Sequence, residues 1–257
     1  MNPQARRWKC VCAYDGTDYS GWQSQVSGNA IQDLIEGALE ETLGNPSRIH
    51  GSGRTDAGVH AKGQVFHFDA SWKHGGESLR KALCTRLPQD IRVLDARVCP
   101  SSFHARISAK GKRYLYRAIE GSASPMEFRY WASLPVHRLD LDAMRMAATV
   151  LVGERDFSSF SASSGDSCDE NPVKNLWQLD VRRTGKRLKI QVEGSGFLYK
   201  MVRSLCGALF DVGRGRLEVH QVKEILDAKK RTSLVVTAAP QGLCLEKVFY
   251  RKVKFRR

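Results

Sequence analysis

The sequence predicts an α+β protein made of two similar halves with antiparallel sheets. Three observations lead there. Short segments alternate apolar and polar residues with the period of a strand, as in Trp8 to Asp15 and Lys112 to Glu120. Between them lie segments with apolar residues at helical spacing. The resulting order of strands and helices runs through a first block, 1–105, and a theme of comparable size recurs in a second, 106–257. A chain of 257 residues suffices for one large domain or two small ones with a real core.

In the first block, Trp8, Cys10, Cys12 and Tyr14 fall on one face of the opening strand. A loop of turn residues and aromatics, Tyr14 to Gln25, follows. Ile31, Leu34, Ile35, Ala38, Leu39 and Thr42 then mark a helix, with Asn29 and Gln32 as its expected cap and Gly44 as its stop. A glycine-rich loop, Gly51 to Ala61, leads to a strand over Val65 to Asp69. A helix from Glu77 to Arg86 ends before Pro88, and Ile91 to Val98 forms another strand. Ser101 to Arg106 joins the halves.

The second block opens on the strand Lys112 to Glu120, with Tyr114 and Tyr116 on one face. A helix over Leu141 to Val152 buries Met144, Ala147, Ala148 and Leu151 and stops at Gly153. A serine-rich loop from Arg155 reaches Pro172. Val173 to Arg183 and Arg187 to Glu193 make a hairpin about Gly185. Leu198 to Val212 reads as an apolar helix carrying Arg203, Val219 to Ala228 as another helix, and Leu243 to Tyr250 as a last strand. A basic tail closes the chain.

Charge narrows the function. There are 41 Lys and Arg against 27 Asp and Glu, a net +14, which favours a polyanionic partner through counterion release and steering. The competing explanation is a generally basic surface that aids solubility. The 7 cysteines are scattered and contain no C-x-x-C pair, which speaks against a disulfide framework or a zinc site. No apolar signal core or run of about 18 apolar residues occurs, so a cytoplasmic protein without a membrane span is expected.

Gly51-Ser-Gly-Arg-Thr-Asp-Ala-Gly-Val-His-Ala61 stands out. Its glycines allow backbone angles closed to other residues, or a close approach to a ligand. A dinucleotide fingerprint is excluded, because Asp56 takes the place of the third glycine and a strand follows where a helix is required. Asp56 is the leading catalytic candidate, with Arg54 beside it; a carboxylate there can act as nucleophile, base or metal ligand. No acidic or histidine cluster sits at ligand spacing, so a metal-dependent nuclease is disfavoured, and His60 and His67 read as core or surface residues. Arg203 lies in a helix apolar nearly all round and needs a partner, either a carboxylate such as Asp56 or water reached from the helix edge. Tyr114 and Tyr116 can stack on bases or simply pack a sheet face. Gly194 to Phe197 offers backbone N–H groups to a phosphate, or only a turn.

The chain resembles a tRNA pseudouridine synthase of the TruA family. The resemblance rests on Tyr14-Asp-Gly-Thr with Gly21-Trp-Gln, Gly53-Arg-Thr-Asp-Ala-Gly-Val-His-Ala61, and Phe103-His-Ala-Arg106 with Tyr114-Leu-Tyr116. Further along come Asp156-Phe-Ser-Ser-Phe160, Met201-Val-Arg203 with Gly207, and Gly242-Leu-Cys-Leu245, all in the family's order. The resemblance implies the pseudouridine synthase fold, its two halves joined around a central basic catalytic cleft, and isomerisation of uridine in tRNA at positions 38, 39 and 40 of the anticodon arm, with no cofactor or metal. It implies Asp56 as the essential carboxylate, Tyr116 packed on the target base, and Arg203 paired with the aspartate. Arg54 would help expel the nucleotide from its stack, Arg106 would contact substrate, and Leu243 would wall the pocket. A homodimer binding tRNA is implied as well. Ser195, Tyr199, Lys200 and Ser204 depart from the family's usual Asn, His, His and Asn; they flank Arg203 without replacing it. An RNA-binding protein that keeps the basic surface without the chemistry is the competing class, and intact Asp56, Tyr116 and Arg203 weigh against it.

Overall fold

Alternation along Arg6–Tyr14 (β1) buries Trp8, Cys10, Cys12 and Tyr14 as the sequence predicts. The computed structural model describes residues 5–136, 138–162 and 171–251; the middle of the serine-rich loop, Cys168 and most of the basic tail lie outside the described residues. Helix Ile31–Leu43 (α1) buries Ile31, Ile35, Ala38 and Leu39 and ends on Gly44 at φ 76°, with the Gly44 N–H on the Glu40 carbonyl at 2.8 Å. That left-handed stop is the expected one. The start differs. Ala30, not Asn29, holds the cap position, and the Asp33 carboxylate accepts the Ala30 N–H at 3.1 Å. The Asn29 amide is committed to the Asp18 carbonyl, which ties the preceding loop instead.

His50–Gly51 (β2) and His60–Ala70 (β3) pair antiparallel, His50 opposite His67. β3 begins well before the expected Val65. Its polar residues His60 and Gln64 read as loop, yet both are buried because each finds hydrogen-bond partners. Helix Gly76–Cys84 (α2) and strand Ile91–Val98 (β4) follow. β1 pairs antiparallel with β3 on one side and with β4 on the other.

Gly111–Glu120 (β5) is joined by the short parallel strand Ala132–Leu134 (β6), which has no announcing pattern in the sequence. Helix Leu141–Leu151 (α3) is capped by the Asp140 carboxylate, which accepts from the Asp142 and Ala143 N–H groups at 3.0 Å each. It buries the four residues that its periodicity predicts. Gly153–Asp156 (β7), where the sequence predicts the start of a loop, pairs antiparallel with Val173–Thr184 (β8), which pairs in turn with Arg187–Gly194 (β9). Helices Met201–Gly213 (α4) and Val219–Asp227 (α5) and strand Leu243–Phe249 (β10) complete the described elements. The α4 helix starts at Met201, not Leu198, because Lys200 takes φ 57° and breaks the helical run.

The chain packs as two compact units, Met1–Lys110 with Leu245–Arg257, and Gly111–Cys244, whereas the sequence places its division after residue 105 and leaves the last strand with the second half. The antiparallel α+β character holds in each. In the first unit the strand order is β4-β1-β3 with β2 on the β3 edge; in the second it is β5-β9-β8-β7 with β6 beside β5. The last strand lies close to β3, where a Cβ on Gly63 would lie 2.7 Å from the Glu246 carbonyl oxygen. The Tyr250 hydroxyl donates to the Ala105 carbonyl at 2.7 Å, and Lys9 Nζ sits 3.9 Å from the centre of the Tyr250 ring.

Candidate active site

The residues singled out from sequence divide between the units: Arg54, Asp56 and Arg106 in the first, Tyr116, Arg203 and Leu243 in the second.

In the first unit, Asp56 opens a turn in which the Val59 N–H donates to the Asp56 carbonyl at 3.1 Å and Gly58 takes φ 75°. The side chain of Asp56 is half-buried, and that of Arg54 is exposed. An irregular loop has few backbone bonds of its own, so its shape comes from its surroundings. Thr55 is clamped twice. Its hydroxyl shares a 2.8 Å hydrogen bond with the Tyr14 hydroxyl, and its carbonyl accepts the Trp22 N–H at 3.0 Å. Upstream, buried Gln64 accepts from the Ser52 hydroxyl at 2.6 Å and donates to the Gly53 carbonyl at 2.9 Å. Downstream, His60 Nδ1 accepts the Gly16 N–H at 3.0 Å.

Two glycines outside the motif are as necessary as those inside it. A Cβ on Gly16 would collide with the Val59 carbonyl oxygen, and one on Gly21 would come within 2.6 Å of the Thr55 carbonyl oxygen. Gly21 also takes φ 92°, a left-handed value. The 14–25 loop is therefore the mould against which the Asp56 turn is cast. The sequence marks that loop as aromatic and turn-rich and as one of the motifs of the family resemblance, Tyr14-Asp-Gly-Thr with Gly21-Trp-Gln, without any hint of what these residues touch.

In the second unit, β5 places Tyr116 in the core, its ring meeting Phe210 of α4 at 5.6 Å between centroids. Its hydroxyl donates to the Ala239 carbonyl at 2.8 Å. Burial pushes the phenol well above the ordinary tyrosine range, so it stays protonated at neutral pH. One residue away, the Ala238 carbonyl accepts from Arg203 Nε at 2.8 Å, while the Ala238 N–H donates to the Arg203 carbonyl at 3.0 Å. Consecutive carbonyls of one segment thus orient both side chains. Within α4 every residue is buried except Arg203, which is intermediate, as the all-round apolar pattern suggests.

The same segment lies tight on its neighbours. A Cβ on Gly207 would strike the Val236 carbonyl, and one on Gly242 would lie 2.7 Å from the Tyr116 ring. Buried Leu243 follows directly. A cavity of about 200 Å³ opens beside Tyr116, lined also by Phe210, Asp211, Arg214 and the 236–239 segment. Arg231, whose role no local pattern signals, binds the segment from the other side: it donates to the Val235 carbonyl and the Thr237 hydroxyl at 2.8 Å each, and to the Ser204 hydroxyl at 2.9 Å.

The four departures from the family pattern sit in defined surroundings. Ser204 is fully buried as the acceptor for Arg231. The Ser195 hydroxyl accepts the Asn175 N–H at 3.0 Å and its own N–H donates to the Asn175 carbonyl, so the Gly194–Phe197 turn spends that N–H on β8. Tyr199 accepts the Ala162 N–H on its carbonyl, and Lys200 Nζ lies 4.9 Å from the Tyr199 ring centre. Arg106 is exposed, its N–H on His104 Nδ1 at 3.2 Å. Among the described residues, no group of three or more His, Cys, Asp or Glu side chains is placed to hold a metal ion, and no helix is long and apolar enough to cross a membrane.

Comparison with known proteins places this chain in a class of RNA-modifying isomerases. Residues 11–107 and 147–251 match the family described as tRNA pseudouridine synthase, and the chain belongs to that family. Its relatives narrow the group. A tRNA pseudouridine synthase A of Exiguobacterium sibiricum is 42% identical over 97% of this chain and 98% of its own. That of Clostridium kluyveri is 39% identical over 94% and 98%. Among solved structures, a chain of a Cbf5-Nop10-Gar1 complex matches 93% of this chain at 11% identity and a TM-score of 0.39; this chain spans 48% of its length.

Proposed function

We propose that the protein isomerises uridine to pseudouridine at positions 38, 39 and 40 of the tRNA anticodon arm, in the cytoplasm, with Asp56 as the essential carboxylate. The observation that carries the assignment is the Asp56 turn itself: a half-buried carboxylate on a backbone clamped by Tyr14, Trp22, Gln64 and His60. A group that must meet a reacting atom needs such pre-orientation.

In the reaction the N1–C1′ glycosidic bond breaks, the base turns, and a C5–C1′ bond forms. The C5 proton leaves and N1 takes one up, so nothing is oxidised or reduced and no external energy is required. A uridine inside a duplex must first leave its stack, at a cost of a few kcal/mol. Arg54, exposed at the turn, suits a role in expelling the nucleotide, and Arg106 a contact to the RNA backbone. Tyr116 supplies a neutral phenol and a flat ring for the base; Leu243 supplies an apolar wall. Arg203 holds Asp56 ionised in this reading, a coupling that a double-mutant cycle on the two residues measures. The net charge of +14 provides the attraction for the polyanion.

Mapping pseudouridines in unmodified tRNA treated with the pure protein tests the whole assignment. Pseudouridine is expected at positions 38 to 40 with the wild type and at none of them with Asp56→Asn. Modification by the Asp56→Asn protein would remove Asp56 from its role; RNA binding without modification by the wild type would favour the binding-protein class.

A homodimer belongs to the same proposal. Met126, Phe128 and Tyr130 are 88%, 54% and 42% exposed within one turn segment, apolar side chains available for self-association. Sedimentation should give a dimer for the wild type and a monomer for Phe128→Asp.

A further inference from the structure

Three histidines of the first unit gather outside the residues assigned to the reaction. His50 of β2 stacks on His67 of β3 with ring centroids 5.1 Å apart, and His104 lies 4.6 Å from His67 and 5.8 Å from His50. They border a cavity of about 340 Å³ whose wall includes Arg7, Arg48, Asp69 and the turn at 45–47.

The hydrogen bonds of the rings decide what the cavity can hold. His67 is buried, and its Nδ1 accepts the Ala105 N–H at 3.2 Å. His104 Nδ1 accepts the N–H groups of Arg106 at 3.2 Å and Ile107 at 3.3 Å. With Nδ1 as acceptor, each neutral ring carries its proton on Nε2 and has no lone pair left for a metal. His104 Nε2–H and the His50 ring have no hydrogen-bond partner among the described residues. The acidic member of the wall is already spent: the Asp69 oxygens accept from Arg7 Nε at 2.8 Å and Arg7 Nη2 at 2.7 Å. Arg48, 63% exposed, uses one nitrogen on Glu36 at 3.1 Å and keeps its other donors. Ser47 and Asn45 also line the cavity. The wall presents donors without an uncommitted carboxylate to repel an anion.

We propose that this cavity is a phosphate-binding site, in which His104 Nε2–H, His50 and the Arg48 guanidinium hold the phosphate oxygens. Such charge-assisted bonds are among the stronger polar contacts. Burial, reinforced by the neighbouring histidines and arginines, lowers the basicity of His67 to a pKa of about 4 and lowers that of His104 as well, so these two rings are neutral N–H donors at neutral pH. Where the phosphate comes from RNA, the site also rests on the tRNA-modifying reading.

Inorganic phosphate titrated into the full chain, followed by the ring C–H resonances of His50 and His104 against sodium chloride at matched ionic strength, tests the site. Saturable shifts are expected, with affinity weakened about tenfold in Arg48→Ala/His50→Ala, two exposed positions. Non-saturating shifts identical to those with chloride would overturn the proposal. A second measurement separates the sources. If an RNA backbone supplies the phosphate, inorganic phosphate competes with tRNA, and the double variant flattens the slope of log K against log salt by roughly 0.7 to 0.9 for each phosphate no longer neutralised. An unchanged slope with saturable phosphate binding assigns the site to a free phosphate or phosphomonoester. The titration does not read pseudouridine formation, so its failure and that of the Asp56 assignment are distinguishable.

Discussion

The Asp56 turn of the first unit has almost no regular structure, whereas Tyr116 and Arg203 of the second sit on a strand and a buried helix. The turn takes its shape from single hydrogen bonds to a neighbouring loop and from glycines that let two backbones touch. The strand and helix take theirs from packing, and only the tips of Tyr116 and Arg203 depend on individual bonds, to Ala239 and Ala238. A turn built on individual contacts is sensitive to each of them; a packed element spreads a perturbation over many neighbours.

The largest expected effect follows from that contrast. Gly21→Ala must place a methyl group 2.6 Å from the Thr55 carbonyl oxygen at a left-handed φ of 92°. A stability loss of about 3 kcal/mol is expected in urea unfolding, and kcat should fall more steeply than stability predicts. A Gly21→Ala protein with normal kcat would show that the turn is not held by its mould.

Acid gives the next largest effect, and it should trace to the first unit. His67 has a folded pKa of about 4 against an ordinary 6.5, so the unfolded chain binds the proton more readily. Stability should therefore fall as pH drops from about 6.5 to about 4 and level off below, by about 2 to 3 kcal/mol in all. Urea midpoints measured from pH 7.5 to 4 for the wild type and His67→Gln check this; the variant should be flatter over that window.

Tyr116→Phe should be milder for the fold. It leaves the Ala239 carbonyl without its donor at a cost of about 1 to 2 kcal/mol, while the ring and its contact with Phe210 remain. A larger loss in thermal unfolding would mean that the second unit also depends on single bonds. Tyr14→Phe should be the smallest, near 1 kcal/mol, since it removes one bond to the Thr55 hydroxyl. Its diagnostic is a fall in kcat with KM little changed, the mark of a positioning residue.

Legibility follows the same divide. Period-2 and period-3.6 patterns locate β1, β4, β5, α1 and α3, because burial on one face leaves a local trace. The polar start of β3 and the strands β6 and β7 leave none. His60 and Gln64 look like loop residues until their partners, Gly16, Ser52 and Gly53, are seen. At the site, the identities of Asp56, Tyr116 and Arg203 are readable as motif residues, and the surroundings of Ser204 and Arg231 are not. Arg231 reaches Ser204 across 27 residues, and no periodicity records such a contact.

By itself the sequence determined the alternation of elements, the buried faces, the basic charge and the residues on which the chemistry is proposed to rest. These are properties of side-chain type and local spacing. Tertiary structure decided which loop moulds the Asp56 turn, which carbonyls aim Tyr116 and Arg203, and that residues 245–257 belong with the first unit. Those outcomes depend on where buried polar groups find partners and where two backbones can approach, and both are settled between residues far apart in the chain.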